Sequence, residues 1–182
     1  PFLLNVAPIV WRSGLHVTVA DCDEALAESL HRIHESLRHL YPHVSWDGQV
    51  AIENYVSSLD HTSRTGRGSV LLYSGGLDST FSALQLHGDQ DVLLLTIWGG
   101  HDLRLSTPTA WETVSENTRR FAEANGFEQV LVTSNFTDFL SSDVEQMSPL
   151  SGVSWWASVQ HGLGLAGLAI PLCESTRRPQ LV

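Results

Sequence analysis

Residues 68–73, 92–98 and 129–133 read as short strands, and 92–98 has the near-continuous apolar pattern of a parallel strand buried on both faces. Helical spacing takes over between them. Residues 79–87 follow the first run, and Gly88, Asp89 and Gln90 end that helix. Pro108 opens a second helix with Trp111, Val114, Thr118, Phe121 and Ala122 along one side, closed by Asn125 and Gly126. Gly99 and Gly100 stop the middle strand. This alternation of strand and helix predicts an α/β fold with a doubly wound parallel sheet and right-handed crossovers.

The N-terminal third reads differently. Residues 2–11 and 15–20 alternate as strands around Ser13-Gly14, which suggests a hairpin. Asp21 or Asp23 caps a helix over 24–40, where Leu26, Leu30, Ile33, Leu37 and Leu40 share a face and Pro42 stops it. His31, His34, His39 and His43 lie on or beside this helix and read as surface histidines, since no ligand set converges with them. Residues 51–59 suggest a short helix, and 61–68 a linker of small residues. The domain boundary falls there, giving a small α+β appendage over 1–62 and a main domain over 63–182. Arg64 and Arg67 of the linker either reach a phosphate or stay solvated.

Towards the C-terminus, residues 154–169 predict a helix that is thin on the side of Gly164, Ala166, Gly167 and Ala169. Trp155, Trp156, Gln160 and His161 crowd its N-terminal half. With that end at the ligand cleft, Gln160 and His161 can touch substrate or an α-phosphate; the alternative for His161 is a satisfied buried histidine. Beyond it only residues 170–182 remain, with Arg177, Arg178 and Pro179 reading as loop.

Composition narrows the function. The chain of 182 residues is 42% hydrophobic and 8% aromatic, enough for a globular core. Its ten basic residues, all arginine, face twenty acidic ones, and the net charge of −10 argues against nucleic acid as a partner. Cys22 and Cys173 form no Cys-x-x-Cys pair, so neither a zinc site nor a disulfide framework is expected. No run reaches the roughly 20 apolar residues of a membrane span. A cytoplasmic protein is the simplest expectation.

The chemistry concentrates in Ser74-Gly75-Gly76-Leu77-Asp78-Ser79-Thr80, directly after the first strand. Paired glycines turn the backbone sharply and let it approach a ligand closely, and a helix that starts here aims free N–H groups at an anion. Asp-Ser-Thr is a candidate cap for that helix. Walker A and dinucleotide glycine spacings are both absent, and the chain has no lysine. An aspartate facing a triphosphate would repel it, so such an arrangement requires Mg²⁺ at Asp78.

Ser-Gly-Gly-Xaa-Asp-Ser, here Ser74 to Ser79, resembles the signature of the PP-loop ATP pyrophosphatases, the superfamily of asparagine synthetases and cyano-deazaguanine synthases. The resemblance implies that Ser74, Gly75, Gly76, Leu77, Asp78, Ser79 and Thr80 hold the terminal phosphates of ATP. It implies that the end of the second strand, at Thr96, Ile97 and Trp98, contacts adenine, with Trp98 alternatively in the core. Asp78, Ser79 and His161 are the candidate catalytic residues, and ATP and Mg²⁺ the expected cofactors. The implied reaction cleaves ATP to AMP and pyrophosphate and adenylates a small-molecule substrate for amide-type bond formation. The alternative is a non-catalytic nucleotide-binding or scaffold module. Such domains have about five parallel strands and a basic residue near the α-phosphate. With three strands recognised here, the sheet is expected to be incomplete, its flank beside residues 70–73 taken by a partner chain or a further C-terminal segment that carries that basic residue.

Overall fold

The computed structural model describes residues 2–57, 68–88, 91–140 and 142–182. The chain divides into two compact units. One comprises Pro1–Ser63 with Ser141–Gly167, the other Arg64–Leu140 with Leu168–Val182. The expected linker over 61–67, with Arg64 and Arg67, lies outside the described residues, as do Asp89 and Gln90.

The first unit opens with helix α1 (Phe2–Ser13), where a strand was expected. Leu4, Ala7, Val10 and Trp11 recur every three or four residues and are buried, so packing of one helical face outweighs the strand preference of the β-branched residues. Gly14, at φ +72°, ends the helix. Strand β1 (His16–Asp23) follows, and the side chain of Asp23 accepts from the Leu26 N–H at 2.9 Å as the cap of helix α2 (Glu24–Leu40).

No hairpin forms in this unit. The partner of β1 is strand β2 (Gln49–Val56), parallel and in register from His16↔Gln49 to Asp23↔Val56, so α2 is the crossover of a βαβ motif. Part of β2 was expected as helix; Val50 and Ile52 alternate with exposed Ala51 and Glu53, which is strand periodicity. Residues 58 and 59 of that expected helix are not described. Burial pushes the Cys22 thiol up, with the neighbouring Asp23 carboxylate adding to it.

Residues 142–167 return to close this core. Helix α5 (Ser142–Gln146) precedes a π-helical turn (Trp156–Gln160) that runs into helix α6 (His161–Thr176). Trp155 is fully buried beside Trp46, Tyr41 Oη donates to the Ser158 carbonyl at 2.9 Å, and Arg12 Nε donates to the Met147 carbonyl at 3.0 Å.

The second unit is built on four parallel strands in the order β5-β4-β3-β6: β3 (Ser69–Leu72), β4 (Val92–Trp98), β5 (Glu128–Thr133) and β6 (Gln180–Leu181). Helix α3 (Leu77–Leu86) and helix α4 (Pro108–Asn125) join the first three. Leu71, Tyr73 and Leu94 pack with Ala83 of α3 and Ala122 of α4. Val70, Leu93 and Leu95 instead meet Ala169 and Leu172 of α6. Helices therefore cover both faces, a mixed α/β arrangement compatible with a Rossmann-like fold. On the exposed side of α4, hydrogen bonds from Arg119 hold the Glu116 carboxyl below its ordinary range.

Arg177 to Pro179 form the expected loop, although α6 runs on through Pro171 to Thr176, past the expected helix end at residue 169. One expectation fails at the C-terminus. The flank of β3 is paired within the chain, because Ser69 and Val70 register with Gln180 and Leu181, and Val182 exchanges backbone bonds of 2.9 Å with Val70 and Leu72. The fourth strand escaped notice because two residues leave no periodicity to read. Arg178 anchors it. Its guanidinium, 9% exposed, bonds Asp91 before β4 at 2.9 Å and Glu128 at the start of β5 at 2.6 Å. Desolvation alone would lower its pKa, but the two carboxylate hydrogen bonds outweigh that and raise it. Its Nε is buried without a hydrogen-bond partner among the described residues.

Both carboxylates are mostly exposed, so solvent screens part of this interaction. Arg178→Met should lower the unfolding free energy by about 1–3 kcal/mol. Urea denaturation followed by circular dichroism measures this, and an unchanged midpoint would show that the clamp does not hold the returning strand.

Candidate functional site

All strands of the second unit run the same way, so the loops after β3, β4 and β5 leave from one end of the sheet. In open parallel sheets that end is where ligands bind. The loop after β3 is Tyr73–Gly76. Tyr73 is buried, whereas Ser74 to Asp78 are exposed and Ser79 and Thr80 half-buried. Gly75 has φ +78°, a left-handed conformation that favours glycine, and a Cβ there would lie 3.2 Å from Thr118 Cγ2. Gly76 is different: its φ of −78° suits any residue, and a Cβ would meet only the Ser74 hydroxyl at 3.3 Å.

The helix begins earlier than the sequence suggests. Gly76 is the cap of α3 and makes no side-chain capping bond, so Asp78 and Ser79 lie inside the first turn instead of capping it. The Thr80 N–H makes the first helical bond, to the Gly76 carbonyl at 3.0 Å. The N–H groups before it are those that a helix start leaves without helical acceptors. Hydroxyls crowd the same spot. Ser74 Oγ lies 3.3 Å from Ser79 Oγ and accepts from the Gly76 N–H at 3.3 Å, and Ser79 Oγ donates to the Gly76 carbonyl at 3.2 Å. These long bonds are ones that an incoming oxyanion can replace.

Beneath the loop sits a buried polar brace. Gln129 Nε2 donates to Thr118 Oγ1 at 2.8 Å and to Thr96 Oγ1 at 3.2 Å, and Thr96 Oγ1 donates to the Tyr73 carbonyl at 2.9 Å. Thr96 and Thr118 are almost fully buried. The methyl of Thr118 is also the surface nearest Gly75, so one network sets both the start and the height of the loop. Thr118 read as an apolar-face residue and Gln129 as a strand residue; only their meeting in space gives them this role.

At the end of β4, Ile97 packs towards the α6 side of the sheet, and Trp98 stacks on Trp111 with centroids 5.3 Å apart and rings 4° from parallel. Trp98 Nε1 donates to the Arg104 carbonyl at 3.1 Å, which ties down the segment after Gly99. Gly99, at φ +96°, lets the Ser134 carbonyl approach so closely that a Cβ would overlap it. Arg104 is exposed on this segment. Sequence reasoning missed it, because a lone arginine in a loop carries no signal until the strand ends are aligned.

The remaining candidates belong to the first unit. His161 is exposed beside Trp156, with ring centroids 5.0 Å apart. Gln160 is buried; its amide accepts from Trp155 Nε1 at 3.1 Å and donates to Asn5 Oδ1 at 3.0 Å. That amide is committed to the core of its own unit. Among the described residues no three His, Cys, Asp or Glu side chains gather as a metal cluster. A scan against protein-family models gave no match for this chain, and searches of curated proteins and of solved structures gave none either.

The two loop glycines should respond unequally. Gly75→Ala is expected to cost about 1–2 kcal/mol of stability from its left-handed backbone, whereas Gly76→Ala should stay within about 1 kcal/mol of the parent. Paired denaturation curves check this, and equal losses would contradict the loop geometry.

Proposed function

We propose that the second unit binds the phosphates of ATP at the loop Ser74–Thr80 and cleaves ATP to AMP and pyrophosphate, adenylating a small-molecule substrate for amide-type bond formation. The observation that carries the reading is the loop itself. It combines a left-handed glycine, clustered hydroxyls and the open start of a ten-residue helix at the carboxyl end of a parallel strand. The same stretch carries the Ser-Gly-Gly-Xaa-Asp-Ser pattern that resembles the signature of the PP-loop ATP pyrophosphatases.

The residues present also fit Mg²⁺. This ion is commonly held by one or two carboxylates, with substrate phosphates and water completing its octahedron, so the exposed Asp78 suffices without a protein cage. Bound there, Mg²⁺ would supply charge neutralisation for the departing pyrophosphate. The protein supplies the rest. Backbone N–H groups at Gly75, Gly76 and Leu77 and the hydroxyls of Ser74, Ser79 and Thr80 orient the phosphates. Ile97 and Trp98 border the adenine, with the Trp98–Trp111 stack fixing that wall.

Arg104 is our candidate for the cation near the α-phosphate, since lysine is absent from the chain. Among the described arginines of this unit, Arg119 and Arg120 pair with Glu116, Arg178 is spent on its clamp, and Arg177 follows α6 at the other end of the sheet. The lack of lysine favours a second reading, a module that binds nucleotide without turning it over.

Pyrophosphate release from ATP and Mg²⁺ with a panel of small carboxylic acids separates the two readings. Asp78→Asn should weaken Mg-ATP binding by about tenfold or more at an unchanged melting temperature, because Asp78 is exposed. Arg104→Ala should lower turnover more than affinity. Unaltered Mg-ATP affinity in Asp78→Asn would remove the metal assignment, and no nucleotide binding by the parent chain would remove the reading as a whole.

A further inference from the structure

The first unit holds an open cleft of about 600 Å³, within the range of ligand-binding clefts. None of its lining residues belongs to the nucleotide loop. One wall is a single face of α2, with Glu24, Ala27, Glu28, His31 and His34 at successive helical turns. The opposite wall is β2, where Gln49, Val50, Ile52 and Tyr55 line the cleft, together with Gly48 before it and Trp11 of α1, whose carbonyl accepts from the Gly48 N–H at 2.9 Å.

That last pattern fixes the orientation. Consecutive strand residues point to opposite faces, so a cleft that sees both parities looks at the strand along its edge. No residue of β1 lines the cleft, which puts it on the side of β2 away from its partner. Among the described residues β2 pairs with β1 alone, and the backbone groups of its other edge are unpaired. Edge strands are commonly guarded by Lys, Pro or a bulge. This one carries only Glu53, with Tyr55 64% and Val56 50% exposed.

Shape and charge select the occupant. The lining residues extend about 15 Å along the helix and about 23 Å along the strand, the length of an extended segment of several residues. Glu24 and Glu28 contribute carboxylates, and no arginine lines the cleft. Arg32 pairs with Glu28 at 3.9 Å, but both side chains are 68% exposed, so this contact exchanges readily with another cation. Between residues 2 and 57, acidic residues outnumber arginines seven to three.

We propose that the groove between β2 and α2 binds an extended, basic peptide segment, which adds as a strand to the free edge of β2 while its cationic side chains meet Glu24 and Glu28. Main-chain pairing supplies a sequence-independent part of the affinity, and the carboxylates on α2 select for Arg or Lys at alternate positions.

The test is an NMR titration of the isotopically labelled chain with an alternating Val-Arg peptide of about six residues. Saturable shifts are expected for the amides of Gln49–Val56 and for residues 24–34, with nucleotide-loop amides unmoved. Two arms carry the decision. Methylation of alternate peptide nitrogens should abolish binding, since it removes strand pairing without altering the protein. Glu24→Gln with Glu28→Gln should weaken binding by about tenfold and flatten its salt dependence, with amide dispersion confirming the fold. Equal binding of the Val-Glu counterpart would overturn the charge selection. Arginine amide binding as tightly as the peptide would overturn strand addition in favour of a small-cation site, and no shift at millimolar peptide would overturn the proposal.

Discussion

In the second unit the last strand returns to lie beside the first, and that return depends on one guanidinium. Two strand residues offer little pairing by themselves. Arg178, two residues before them, reaches past β3 to the entry points of β4 and β5 and ties β6 to both at the end of the sheet remote from the loop. Its carboxylate partners keep their contact with water, so only the cation is desolvated. This is a cheaper arrangement than burying a full ion pair. With the strands aligned at one end, the opposite end presents three loops side by side.

The loop end uses neutral polar groups instead. A threonine on β4, a threonine on α4 and a glutamine on β5 share hydrogens so that the backbone entering the glycine turn is held by a side chain from the adjacent strand. Buried polar networks of this kind specify a geometry, where an apolar contact would tolerate sliding. The anion binding proposed for this loop would gain from such rigidity, because donors that are already aimed do not pay to reorganise.

Much of this second unit was legible in the sequence. The strands at 68–73, 92–98 and 129–133, the helix opened by Pro108 and the glycine turn are all local patterns, and local pattern is what periodicity reports. The failures share a cause. Residues 2–13 contain Val, Ile and Trp in a run that passes for a strand until tertiary burial of every third or fourth position is known. Residues 49–56 show too short an alternation to outweigh their mixed composition. Gln129 and Thr118 were invisible as supports of the loop, and Arg104 as a candidate cation, for another reason: such roles arise from proximity across the sheet, and a single sequence contains no distances.

The interleaving of the two units bears on the order in which the chain can fold as it is made. Asn5, Arg12, Tyr41 and Trp46 find their partners at Gln160, Met147, Ser158 and Trp155. Those partners emerge from the ribosome only after residues 64–140 have been synthesised. The usual sequence, in which the N-terminal domain folds first, is therefore closed to this protein. The glycine loop, its supporting brace and three of four sheet strands are all available before the first unit can complete its core, leaving the apolar faces of α1 and α2 unsealed over that interval. A nascent chain paused there would be the species most in need of a chaperone.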